Sequence, residues 1–289
     1  FNGLGAFISA MFLSKLILSG THYTRETLPM DYPGGWQAYI QVETDAMKFP
    51  YLVLALLLIA IAVIFVFSKL PKIGDEENKA NASGEKLIDF GVLKHSHLRW
   101  GVIAQFFYVG VQIMCWTFII QYGTRLFMAE GMAEQEAEVL SQKYNIVAMV
   151  IFCISRFVCT FMLRFINPGM LLKILAIAGA CFTMGVIFFQ NILGLYCLVA
   201  VSACMSLMFP TIYGIALNKL GDDAKFGAAG LIMAILGGSV LPPLQASIID
   251  MHTVFGMPAV NVSFVLPFIC FIVIIIYGHR SYARSKMLK

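Results

Sequence analysis

This sequence predicts an all-α polytopic membrane protein, and three observations carry that prediction. Hydrophobic residues fill 60% of the 289 positions and charged residues only 12%. An ordinary soluble domain has about 45–50% and about 25%. The apolar residues are gathered into long continuous runs, and the charges fall almost wholly between those runs. A soluble globular enzyme is close to excluded by the composition. A disordered chain is excluded too, because so much apolar surface does not stay solvated. Continuous runs also argue against barrel strands, which alternate.

A hydrocarbon core of about 30 Å takes roughly 20 residues of helix. Eight runs reach that length: residues 2–20, 50–68, 100–122, 144–163, 170–189, 192–217, 227–246 and 261–278. The first holds one charge, Lys15, near an end, where a long side chain snorkels to the interface. The second leads into 69–99, the main break in the chain. That stretch opens K-L-P-K-I-G-D-E-E-N-K-A-N-A-S-G-E-K, charged, small and turn-forming. Its first part reads as a linker. Leu87 to His97 reads as a short interfacial helix.

The third run carries the most information. It reads W-G-V-I-A-Q-F-F-Y-V-G-V-Q-I-M-C-W-T-F. On a helix, Gln105, Tyr108, Gln112 and Trp116 fall at about 0°, 300°, 340° and 20°, one stripe within about 80°. Two amides and two aromatic rings on one face suit a polyhydroxylated ligand, which accepts and donates hydrogen bonds and offers C–H faces for stacking. The same stripe also suits packing polars that bond neighbouring helices. The fourth run has Arg156 near an end, placed to snorkel or to bond carbonyls at a helix junction. Pro210 lies inside the sixth run, Gly237, Gly238, Pro242 and Pro243 inside the seventh, and Pro267 inside the eighth. Interior prolines bend helices, and membrane helices tolerate them where neighbours satisfy the freed backbone.

The charges between runs set the orientation. Fourteen of the 20 Lys and Arg residues fall on one set of alternating loops and four on the other, with Lys15 and Arg156 inside runs. By the positive-inside rule, 69–99 and the C-terminus are cytoplasmic. The net charge of +4 therefore reports orientation, and no aromatic-interleaved basic groove for nucleic acid is present. No run interior holds an Asp, a Glu or a His, so neither a proton relay nor an intramembrane hydrolase constellation is visible. The seven cysteines lie singly inside apolar runs. They read as small packing residues, not as a disulfide framework or a metal site. The chain opens on Phe1 inside an apolar run and reads as cut part-way through.

Several blocks together resemble a known family. A-Q-F-F-Y-V-G-V-Q-I-M-C-W-T-F (104–118) is similar to the seventh helix of the fucose–galactose–glucose:proton symporters, within the major facilitator superfamily. S-R-F-V-C-T-F-M-L-R-F-I-N-P (155–168) resembles that family's Gly-Arg-x-x-Gly-Thr helix end, with Ser155 and Cys159 in place of the glycines. M-S-L-M-F-P-T-I-Y-G-I-A-L-N-K-L-G (205–221) and G-A-A-G-L-I-M-A-I-L-G-G (227–238) are similar to its tenth and eleventh helices, and the opening F-N-G-L-G to its fifth.

The resemblance implies a major-facilitator-type bundle of which helices five to twelve are here. Residues 1–68 would be the last two helices of the N-terminal bundle with an outer loop, 69–97 a cytoplasmic linker, and 98–289 the complete C-terminal bundle. It implies a monosaccharide substrate, L-fucose, carried with protons through the bacterial inner membrane by a monomer without cofactor. Glucose or galactose is the alternative substrate. The family's coupling acids lie on helices that would precede Phe1, which would leave this piece inactive alone. Asn2 falls where the family has a cavity-lining Asn. Gln105, Tyr108, Gln112 and Trp116 would line the same cavity. Phe209 stands where the fucose-transporting members have a Tyr, keeping a ring wall but losing a hydroxyl. Arg156 would hold the cytoplasmic gate. A membrane scaffold or receptor that keeps the fold without transporting is the competing reading.

Overall fold

A computed structural model describes residues 33, 35–67, 96–218, 220–221, 224–251, 253–254 and 256–287. The run 2–20, Asn2 within it, and the linker 69–95 lie outside the described residues. The described residues belong to two compact units.

In the first unit a single helix is described, α1 (Gly35–Phe67). It starts well before the apolar run at 50 and includes polar turns, where Lys48 pairs with Asp45 at 2.6 Å. Helix propagation past the hydrocarbon edge is easy once a helix is nucleated. Leu52, Leu56 and Ile59 on its apolar stretch are all exposed, which hydrocarbon tolerates and water does not.

The second unit is a helix bundle. Its elements are α2 (Ser96–Ala129), α3 (Glu134–Met162), α4 (Pro168–Phe188), α5 (Ile192–Met205), α6 (Met208–Leu217), α7 (Ala224–Met233), a 3-10 turn at Ala234–Leu236, α8 (Gly237–Ile249), α9 (Ala259–Ser263) and α10 (Val265–Met287). Six stretches are long and apolar enough to cross a membrane among the described residues: α2, α3, α4, α5 with α6, most of α7 with α8, and α9 with α10. Of the interfacial helix expected at 87–97, only Ser96 and His97 are described, and they begin α2. The gap expected between the runs 100–122 and 144–163 shrinks to the few residues between α2 and α3. Gly131, with φ 91°, ends the one helix, and Glu134 and Glu136 sit in the first turn of the next, at its positive end. A two-residue hairpin, β1 (Thr253–Val254) with β2 (Met257–Pro258), precedes α9.

Helix α2 is the centre of the bundle and packs on α3, α6, α8 and α10. Its core includes Tyr108, Val111, Met114, Cys115 and Ile119, each almost fully buried. The outer faces are also apolar: Phe157 and Phe165 are each 76% exposed. A bundle greasy inside and out is built for lipid, where close helix packing replaces the hydrophobic drive between helices. Gly237 shows that packing, since a Cβ there would overlap the Phe106 carbonyl of α2.

Buried polar groups tie the helices at their ends. Tyr122 donates to the Phe189 carbonyl at 2.7 Å, and Asn261 donates to the Val186 carbonyl at 2.9 Å. None of the seven cysteines forms a disulfide, and no cluster of His, Cys, Asp or Glu that could hold a metal occurs among the described residues.

Candidate functional site

The sixth apolar run is broken in its middle. Pro210 has no N–H, and its ring crowds the carbonyl four residues back, that of Ser206. The helix accordingly stops at Met205 and restarts at Met208. Two carbonyls at the break are taken by side chains from other helices. Arg156 of α3 donates from Nε to the Ser206 carbonyl at 3.0 Å. Tyr108 of α2 donates its hydroxyl to the Met205 carbonyl at 2.9 Å, and the backbone N–H of Phe209 faces that hydroxyl.

Rings enclose these bonds. The Arg156 guanidinium lies 5.1 Å from the centroid of Phe152. Phe152 meets Trp116 edge-on, with centroids 4.9 Å apart. Phe209 meets Tyr108 at 6.1 Å and stacks on Tyr213 at 6.4 Å with planes only 8° apart. Tyr108 and Trp116, eight residues apart on one stripe, thus reach two ends of one cluster.

The remaining stripe residues differ from one another. Gln105 is fully buried, and neither its amide nitrogen nor its oxygen has a hydrogen-bond partner among the described residues. An unpaired buried amide costs about 1–3 kcal/mol. The packing reading, in which Gln105 bonds a neighbouring helix, therefore has no partner to point to. Gln112 and Trp116 are half-buried, and the Trp116 indole N–H also lacks a partner among the described residues. Asn2 lies outside the described residues.

Arg156 was expected near a helix end as a gate residue. Its side chain runs to a mid-span carbonyl and joins the same cluster as Tyr108 and Phe209. Phe152, Ser206 and Tyr213 were not singled out from sequence. Counting four back from Pro210 finds Ser206, and counting four back from Arg156 finds Phe152. Counting four on from Phe209 along the same helix likewise finds Tyr213.

The cluster offers one fixed cation, one hydroxyl, an indole N–H and several ring edges and faces, with the unpaired Gln105 amide one turn before Tyr108 on α2.

No family model matches the chain. The whole chain aligns, 42% identical over 299 residues, with 66% of the L-fucose-proton symporter of Haemophilus influenzae. The chain belongs to the fucose–galactose–glucose:proton symporter family. It is also similar to the glucose/galactose transporter of Brucella abortus, 28% identical over 278 residues, covering 96% of this chain and 60% of that protein. The crystal structure of the major facilitator superfamily transporter FucP in its outward conformation superposes with a TM-score of 0.71 at 29% identity, covering 97% of this chain and 66% of that one. The chain spans between 60% and 66% of the length of the curated relatives it matches. Its fold is the helical membrane bundle of this family, in a multi-pass membrane protein, and the relatives named are transporters.

Proposed function

We propose that this protein carries a monosaccharide together with protons across the bacterial inner membrane, by rocking two helix bundles around a midplane site. L-fucose is the substrate we infer, since the closer of the two curated relatives described above is named for it and is 42% identical. The observation that carries the reading is the buried, unpaired Gln105 amide on one stripe with Tyr108 and Trp116, beside the Arg156-braced break. A hydroxylated ring supplies the donors and acceptors that such an amide needs, and Phe209 and Trp116 supply stacking surface. Asn2 would face the same ligand. The protein acts as a monomer within the bilayer, C-terminus cytoplasmic, and is neither an enzyme nor dependent on a cofactor.

Uptake of labelled L-fucose by vesicles carrying the full-length protein, with external pH recorded, tests this. Sugar-dependent alkalinisation is expected, with a tenfold or greater loss in Gln112→Ala, the order expected for a lost ligand hydrogen bond. Unchanged uptake in that variant would return the stripe to packing. Phe209 favours a second reading, because a ring without a hydroxyl tolerates glucose or galactose. Competition by those sugars separates the two. A protein that neither takes up sugar nor moves protons would be a scaffold.

A further inference from the structure

A second polar site lies at the other level of the bundle, where α10 ends. A cavity of about 280 Å³ opens there between the starts of α2 and α4 and the ends of α6 and α10. Tyr277, Arg280, Ser281 and Arg284 line it from one face of α10, at the three- and four-residue spacing of a helix. Arg280 is fixed over Trp100, 4.5 Å from the ring centroid. No Asp or Glu lines the cavity among the described residues. The ion pair found among the described residues, Lys48 with Asp45, is elsewhere.

The start of α4 closes the cavity from the opposite side. Asn167 caps it, accepting from the Gly169 N–H at 3.0 Å and donating to Ser285 at 3.1 Å. The positive end of a 21-residue helix is thereby held against two guanidinium groups. The Tyr277 hydroxyl is the independent mark. Tyr277 is 3% exposed, lines the cavity, and its hydroxyl has no hydrogen-bond partner among the described residues. Two guanidinium groups and the positive end of α4 thus border a space that no Asp or Glu lines among the described residues, with the unpaired hydroxyl of Tyr277 in its wall.

We propose that this cavity binds a phosphate-bearing anion, held by Arg280, Arg284 and the Tyr277 hydroxyl beside the positive end of α4. Helix N-termini and arginine forks are the standard phosphate recognisers, and basic pockets between membrane helices on the cytoplasmic side take lipid headgroups. The basic-loop count places this end in the cytoplasm. The volume is ample for a phosphate or a lipid headgroup. The site is separate from the Ser206 cluster, and its occupancy would fix α4 against α10.

The test is thermal unfolding of the full-length protein in detergent, titrated with inorganic phosphate, with dihexanoyl-phosphatidylglycerol, and with chloride at matched ionic strength. A saturable upward shift with either phosphate probe, beyond chloride, is expected. A shift with inorganic phosphate identifies a soluble anion, and one with the lipid alone identifies a headgroup. Arg284→Gln should need at least about tenfold more probe for half the shift, and Tyr277→Phe about threefold more. Should Arg284→Gln fail to fold, Tyr277→Phe decides, since it removes only an oxygen. No shift beyond chloride with either probe, or wild-type titrations in Tyr277→Phe with any folded Arg284→Gln, overturns the proposal.

Discussion

Arg156 holds the Ser206 carbonyl at 3.0 Å, and that carbonyl is free to be held because Pro210 supplies no amide to it. The kink and the cation are one device. A carbonyl left bare in hydrocarbon would be costly, and the arginine answers it while resting on Phe152. Substituting Pro210→Ala returns an amide donor to Ser206 and lets the helix run straight. Thermal stability should hold or rise, because proline in a helix interior disfavours it by about 3 kcal/mol. Sugar uptake should fall tenfold or more, on the order expected when a site's geometry slips by about 1 Å. Full uptake in a stabilised Pro210→Ala protein would separate the break from the transport path.

Tyr108 offers a narrower test. Tyr108→Phe keeps the ring against Phe209 but removes the donor to the Met205 carbonyl. Leaving that buried carbonyl unpaired should destabilise the protein by about 1–3 kcal/mol. The unfolding midpoint in detergent measures it, and a midpoint unchanged from wild type would mean that the Met205 carbonyl finds another donor.

Much of this was legible before any coordinates. The run boundaries at 100, 170 and 192 fall within a few residues of observed helix starts, because apolar length sets where a helix meets lipid. The stripe on the third run placed Tyr108 and Trp116 on one face, and both reach the same cluster. What sequence did not show is which helix crosses which. Arg156 reads as snorkelling or as bonding carbonyls at a helix junction, and the second is what the structure shows; which carbonyl it meets depends on the approach of α5 and α6, which is not readable along α3. The break at 206–207 was foreshadowed by Pro210, whereas the partners of its carbonyls come from 50 and 97 residues away. Likewise the short loop after α2 was hidden, because polar helix ends outside the membrane resemble loops in composition.

Gln105 separates packing from binding. Its amide has no partner among the described residues, so Gln105→Leu removes an unpaired polar group while roughly keeping volume. Stability should be unchanged or higher, since relieving an unsatisfied buried amide is worth about 1–3 kcal/mol. Uptake of L-fucose should drop, mainly through a raised KM. A marked fall in the unfolding midpoint with normal uptake would show instead that Gln105 is a structural bond.

The two glycines of α8 should respond unequally to the same added methyl group. A Cβ on Gly237 would run into the Phe106 carbonyl, which is helix backbone and does not rotate aside. A Cβ on Gly238 would press on side-chain carbons of Ile113 and Val109, each at 3.0 Å, and would meet the Val109 carbonyl at an ordinary 3.8 Å. Overpacking a tight contact costs about 1–3 kcal/mol when neighbours relax and more when they do not. Gly237→Ala should therefore lower the unfolding midpoint clearly more than Gly238→Ala. It should also reduce uptake, because pushing α8 off α2 disturbs the helix that carries Gln105, Tyr108 and Gln112. Equal midpoints for the two variants would mean that α2 and α8 do not approach through Gly237.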